Sequence, residues 1–249
     1  YDRSFSGLQA YVADSAMRKY VLDLYPEEVR RSHLEGDFHI HNLNFGIVPY
    51  CCGLDTYQLL LEGVKTSRVS SKPPKHLDSA LDQLVNIIAT FQQELGGAIA
   101  LSDFNTILAP YIRYDKLSYR EVKQAIQRFV FNLNFPSRSG FQTPFSNVTF
   151  NLKTPKHLED QPVPVEDHTD VLGDFEEEAE LMLLAFCDVL EEGDGRGRIF
   201  TFPIPTINMI KSMKTDSEVY KRAMELTAKI SPFYFFNYIG TGIAENTVR

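Results

Sequence analysis

The chain has 249 residues, 43% hydrophobic and 23% charged, enough to bury one large core or two modest ones. A net charge of −8 argues against a nucleic-acid polymer as partner, although a single phosphate site needs only local donors. No apolar run is long enough to span a bilayer, and three cysteines, two of them adjacent, make no disulfide framework. The expected setting is therefore the reducing cytoplasm, away from membranes. Tyr1 in place of an initiating Met points to a piece of a longer polypeptide.

Helical periodicity runs from Ser6 to Tyr25, with Leu8, Tyr11, Val12, Met17, Val21 and Leu22 near one face. Pro26 followed by Glu27 and Glu28 starts a second helix, which Gly36 ends. His39 to Cys52 reads as extended chain, and Thr56 to Gly63 as a short helix. Val64 to Lys75 is a basic loop carrying Lys65, Arg68, Lys72 and Lys75. A strong helix follows from His76 to Leu95, stopped by Gly96 and Gly97. Ser102 to Leu108 is another, with Ser102 or Asp103 as cap. Ser118 and Glu121 form a capping box ahead of a helix to Asn132.

Asn147 to Leu152 alternates as a strand. Lys153 to Gly173 is an acidic, proline-bearing excursion, and Asp174 to Leu190 an acidic amphipathic helix. Glu191 to Arg198 is a tight polar turn; its GDGRGR core is neither a Walker loop nor a dinucleotide fingerprint. Phe200 to Ile210 reads as a strand whose two prolines place it at a barrel edge or rim. Ser217 to Ile230 is a helix, and a further one is expected from Ser231 and Pro232. The class is α/β, rich in helix.

Chemistry concentrates between His39 and Cys52. On an extended chain His39 and His41 share a face, as metal ligands, as acid and base, or as a hydrogen-bonded pair. Cys51 and Cys52 face opposite sides, so only one lines a given pocket; each is a redox thiol or a small buried hydrophobe. Cys187 lies among Leu183, Leu184, Phe186 and Leu190 and belongs to a core. The stretch NFPSRSGFQTPFSN (134–147) sets Arg138, hydroxyls and amides between aromatic anchors, as donors for phosphate or sugar or as a packed connection.

Six stretches carry a family resemblance: SFSGLQAYV (4–12), YPEEVRRSHLEGDFHIHNLN (25–44), PYCCGLD (49–55), FQQELGGAIALSDFNTILAPY (91–111), PSRSGFQTPFSN (136–147) and FTFPIPTINM (200–209). Together and in this order they resemble the anaerobic, class III ribonucleoside-triphosphate reductases, which are glycyl radical enzymes. The resemblance implies an α/β fold in which this chain forms the first half of a ten-stranded barrel of the glycyl radical type, with outlying helices. It implies reduction of the ribose 2′-OH of a ribonucleoside triphosphate, with formate or a thiol protein as reductant. It also implies activation by a radical-SAM enzyme, and a homodimer that binds ATP or deoxynucleotide effectors.

By the same resemblance Cys51 is the cysteine that delivers reducing equivalents, with Cys52 the lesser candidate. His41 lies near substrate and assists loss of the 2′-OH. Where the family has a His-Asp-Leu-Asp-like stretch, this chain reads His41-Asn42-Leu43-Asn44, which removes two potential bases. Gln142 and Thr143 would line the barrel mouth, and Glu62 and Lys65 would meet the effector. The thiyl cysteine, the glycyl radical and a zinc site are expected beyond residue 249, so this segment alone is expected to be inactive. Competing readings are a non-catalytic dimerising nucleotide-binding module completed by a partner chain, a formate-lyase relative, and a metal protein using His39, His41 and Cys51.

Overall fold

A computed structural model describes residues 4–138 and 140–240. Five strands form one parallel sheet in sequential order: β1 (Cys52–Leu54), β2 (Ile99–Leu101), β3 (Ser146–Asn151), β4 (Ile204–Met209) and β5 (Tyr234–Asn237). Parallel neighbours need long crossovers, and helices supply them. β1 leads through α3 (Thr56–Glu62) and α4 (Leu77–Phe91) to β2, and β2 through α5 (Phe104–Tyr114) and α6 (Tyr119–Leu133) to β3. The excursion with α7 (Lys156–Glu159), then α8 (Glu176–Glu192), leads to β4, and α9 (Glu218–Ile230) joins β4 to β5. Two outlying helices, α1 (Phe5–Leu24) and α2 (Glu27–Glu35), precede the sheet. No helix among the described residues is long and apolar enough to cross a membrane.

The register aligns Gly53, Ala100, Asn147 and Ile204 in one row, and Leu54, Leu101, Val148 and Pro205 in the next. Because successive side chains alternate, the two rows face opposite ways. Ile99, Leu101, Val148, Phe150 and Ile207 are buried on one face, within the same apolar core as residues of α5, α6 and α8. Phe104, Phe129, Phe150 and Phe186 form a chain of ring contacts through that core, with centroids 4.8–5.8 Å apart. Truncating one of these rings to Ala would cost about 3–5 kcal/mol. The opposite face carries Gly53, Ala100, Asn147, Thr149, Asn151, Thr206 and Asn208, small or polar, and by the same register the apolar Ile204, Tyr234 and Phe236.

Most expected helices form where local chemistry places them. Gly36 closes α2 in the left-handed conformation at φ 87°, where a side chain would be strained. Ser118 and Glu121 cap α6 reciprocally. Asp194 accepts from the backbone of Arg196 and Arg198 and from the Arg198 guanidinium, which makes the glycine-rich segment a tight polar turn.

Other expectations are corrected. The expected extended run from His39 to Cys52 is broken by turns over residues 41–48. Asn42 is left-handed (φ 48°) and leads into a 3₁₀ turn, Leu43–Phe45, with Phe45 N–H donating to Asn42 O at 2.8 Å. Asn and Gly turn chemistry outweighs the apolar alternation there, and β1 begins only at Cys52. β4 is interior to the sheet, not an edge. Pro203 and Pro205 precede Thr206, where pairing with β5 begins, so the missing Pro205 donor is not needed on that side. After Ser231, which is left-handed at φ 51°, the chain forms β5 instead of another helix, in keeping with its run of aromatic strand formers. Asp103 precedes α5 but makes no side-chain cap bond; its carboxyl is engaged elsewhere. The three-residue β2 was hidden between two glycines and a helix.

Candidate functional site

The segments leading into β1, β2, β3 and β4 converge at the amino ends of the strands. Tyr50, Gly96, Gly97, Phe145 and Phe202 come from these segments and line a cleft of about 460 Å³. α1 closes one wall with Asp14 and Arg18, and the turn after α2 adds His41, Asn42, Asn44 and Phe45. The 134–145 connection adds Arg138, Gln142 and Thr143. A second cleft of about 600 Å³ runs on along α1 and shares Asp14, Asn44, Phe45, Arg138 and Gln142.

Local sequence explains how the walls are fixed. Asn42 Nδ2 donates to Gly96 O at 3.2 Å, tying the histidine turn to the start of β2. Ser6 Oγ accepts from Gly140 N–H at 3.2 Å, and a side chain on Gly140 would meet Ala10, so α1 is seated on the 134–145 connection. A Cβ on Gly46 would lie 2.6 Å from Val21, so α1 approaches the histidine turn closely as well. Arg138 is half-buried, and that burial lowers its pKa. Its guanidinium donates to Leu95 O at 2.5 Å and lies 5.5 Å from the Phe45 ring centroid. A planar fork held this way presents a cation to whatever enters.

Strand alternation separates the two cysteines. Cys52 faces the helices and packs on the apolar core. Cys51, one residue earlier, shares the face of Gly53 and is exposed. Its Sγ accepts the Ala98 N–H at 3.1 Å. A Cβ on Gly97 would lie 2.7 Å from that sulfur and 2.9 Å from Tyr50 O, so the thiol sits where a glycine is required. Cys187 is fully buried in α8, and burial pushes its thiol up to about 12.

His41, Gln142 and Thr143 thus meet at one cleft, and Cys51 lies beside its Tyr50 and Gly97 wall. His39 and His41 do not share a strand face; their rings stand edge-on with centroids 6.4 Å apart. Among the described residues, no group of three or more His, Cys, Asp or Glu is placed to hold a metal. Glu62 and Lys65 lie away from the cleft, beyond the carboxyl end of β1. They are exposed, 4.0 Å apart, and Gln58 Nε2 donates to Glu62.

Sequence reasoning missed three features. Gly96 and Gly97, read only as a helix stop, shape the cleft. Asp14 and Arg18 bring charge from α1, just past the 4–12 stretch, where no site residue was expected. At the other end of the strands Asp103, Asn105, Thr106, Asn151 and Asn208 form a buried polar network. Asn151 Nδ2 donates to Asp103 Oδ1 at 2.8 Å and to Thr106 Oγ1 at 3.0 Å, and Asn208 Nδ2 donates to Asn151 Oδ1 at 2.9 Å. Burial raises the Asp103 carboxyl above its ordinary range, against the opposing hydrogen bond from Asn151. The polar alternation of β3 and β4 is the signal that would have shown it.

Among known proteins, the anaerobic ribonucleoside-triphosphate reductase from Enterobacteria phage T4 is 22% identical over 176 residues, 61% of this chain and 29% of the relative. The enzyme of that name from Escherichia coli is 25% identical over 173 residues, 59% of this chain and 24% of the relative. The anaerobic ribonucleotide reductase of Thermotoga maritima, solved in complex with dATP and CTP, superposes with a TM-score of 0.82 at 15% identity. That match covers 98% of this chain and 44% of the solved one, and at this identity it speaks for the fold. The chain therefore spans less than half the length of each of these proteins. The family profile for anaerobic ribonucleoside-triphosphate reductase matches residues 1–248, and the chain belongs to that family.

Proposed function

We propose that this chain is a segment of an enzyme that reduces ribonucleoside triphosphates to deoxyribonucleoside triphosphates by glycyl and thiyl radical chemistry. The observation that carries the reading is Cys51, exposed on the polar face of a parallel half-barrel, beside a cleft lined by His41, Gln142 and Thr143. Replacing the ribose C2′–OH by C2′–H releases water and consumes two electrons and two protons. Cys51 is the group that delivers hydrogen and electrons to the ribose, and an external reductant such as formate or a thiol protein restores the balance. His41 protonates the departing 2′-OH. Gln142 and Thr143 offer amide and hydroxyl partners to the substrate, and Arg138 a cation to its phosphates. A glycyl radical would supply the initiating radical, and the residues named here would bind, orient and reduce the substrate.

Effector control fits the same reading. The Thermotoga maritima enzyme has been solved with dATP in its specificity site. Glu62 and Lys65 are the effector contacts we assign here, Lys65 to phosphate and Glu62 to the sugar or base.

The test uses the intact native polypeptide, activated anaerobically. Cys51→Ser should abolish deoxynucleotide formation while the glycyl radical signal in the electron paramagnetic resonance spectrum persists. Cys52→Ser should keep most of its turnover. Full activity in Cys51→Ser would remove the central assignment.

A further inference from the structure

Among the described residues, Asp14 is the only acidic side chain lining either of the two adjoining clefts. It projects from the face of α1 that carries Gly7, Ala10, Met17 and Val21 at helical spacing, a stripe otherwise small or apolar. A half-buried carboxylate there needs a partner, and Asn44 Nδ2 donates to Asp14 Oδ1 at 2.8 Å. The chemistry fixes the amide's orientation, since its oxygen turned to Asp14 would set two acceptors face to face. That one bond leaves most of the carboxylate's acceptor capacity unused by Asn44. Around it the cleft is cationic and donor-rich: Arg18 one turn along α1, and Arg138 across the opening.

A carboxylate repels phosphate, so Asp14 has no role toward the phosphate end of a nucleotide. It suits the group next to that end, a vicinal diol, whose two hydroxyls are donors. We propose that Asp14 is a specificity-determining residue that accepts hydrogen bonds from the ribose hydroxyls of the bound nucleotide, with Arg18 and Arg138 toward its phosphates. Asn44 positions the carboxylate. The inference rests on the reading of the cleft as a ribonucleotide site and adds to it the element that distinguishes a ribose from a sugar without hydroxyls.

The experiment is calorimetric binding to the intact native polypeptide, anaerobic and without radical, with CTP, its 2′,3′-dideoxy analogue and inorganic tripolyphosphate. Asp14→Asn should weaken CTP roughly ten-fold, the loss of one charge-assisted hydrogen bond or more, and should not weaken the other two ligands. The exchange variant Asp14→Asn with Asn44→Asp returns a carboxylate to the pair and should recover part of the CTP affinity. Equal weakening of all three ligands would reduce Asp14 to a structural role and overturn the proposal. Unchanged CTP binding in Asp14→Asn would overturn it as well. If the unaltered protein bound the dideoxy analogue as tightly as CTP, the Asp14 inference alone would fail. If it bound none of the three, the ribonucleotide reading would fail and this inference with it.

Discussion

The sulfur of Cys51 accepts the backbone N–H of Ala98 at 3.1 Å, across the junction between β1 and β2. Two further bonds close the same junction: Cys52 N–H to Ala98 O at 3.0 Å and Gly97 N–H to Tyr50 O at 2.5 Å. The thiol is therefore oriented by the sheet's own ladder. A thiol proposed to meet a substrate profits from such a frame, because a position tied to strand backbone is held more tightly than one on a loop.

Gly97→Ala tests that frame. The new methyl would lie 2.7 Å from the Cys51 sulfur and 2.9 Å from Tyr50 O, distances real Cβ atoms do not tolerate, so the junction must open. Overpacking of this kind costs about 1–3 kcal/mol. We expect a lowered urea midpoint and, in the activated enzyme, a larger loss of turnover than of nucleotide affinity. An unaltered midpoint together with unaltered turnover would show that Cys51 does not need this placement.

Thiol reactivity should separate the three cysteines. Only the thiolate reacts with an alkylating agent, and only when reached. Cys51 is exposed, Cys52 half-buried against the core, and Cys187 buried with its thiol pushed up to about 12. Peptide mass spectrometry after brief iodoacetamide treatment at about pH 8 should find label first on Cys51, then Cys52, and on Cys187 only after denaturation. Early labelling of Cys52 ahead of Cys51 would reverse the face assignment.

Much of this was legible in the sequence, for reasons that differ by element. Capping chemistry is local, so α2 with Gly36 and α6 with Ser118 and Glu121 read correctly. The Cys51 and Cys52 alternation also read correctly, because period two needs no tertiary information. The histidine turn did not, because Asn42 takes a left-handed conformation that its apolar neighbours hide. β2 did not either: Ile99–Leu101 is a strand because β1 and β3 flank it, which no local propensity records. Asp14 and Arg18 are invisible as site residues until α1 is seated over the cleft. The same holds for Asp103, which reads as a helix cap and is instead bound to Asn151, 48 residues away.

Lys65→Ala separates effector binding from stability. The Lys65 and Glu62 pair is exposed and 4.0 Å apart, so its removal should change unfolding free energy by less than about 0.5 kcal/mol. Deoxynucleotide affinity of the intact native polypeptide should nonetheless fall roughly five- to ten-fold if the ammonium meets a phosphate. Titration calorimetry with dATP reads this directly. Undiminished affinity would place the effector elsewhere.

The buried network at the carboxyl ends of the strands predicts both a stability loss and a pH dependence. Asn151→Ala removes the donors to Asp103 and Thr106 and the acceptor for Asn208, and should cost about 3 kcal/mol. The Asp103 carboxyl has a folded value raised above the ordinary 3.8, chiefly by burial. As pH climbs from that ordinary value through the raised one, the unfolded chain gives up this proton first. The folded state then binds more protons, so this group's contribution makes stability fall with rising pH across that window and level off above it. Asp103→Asn has no proton to lose and lacks the falling contribution. Urea unfolding of both proteins at steps from about pH 4 to 7 should therefore show the variant gaining on the wild type as pH rises. A wild-type advantage that grew with pH would mean that the Asn151 bond outweighs burial, and that Asp103 is held ionised in the fold.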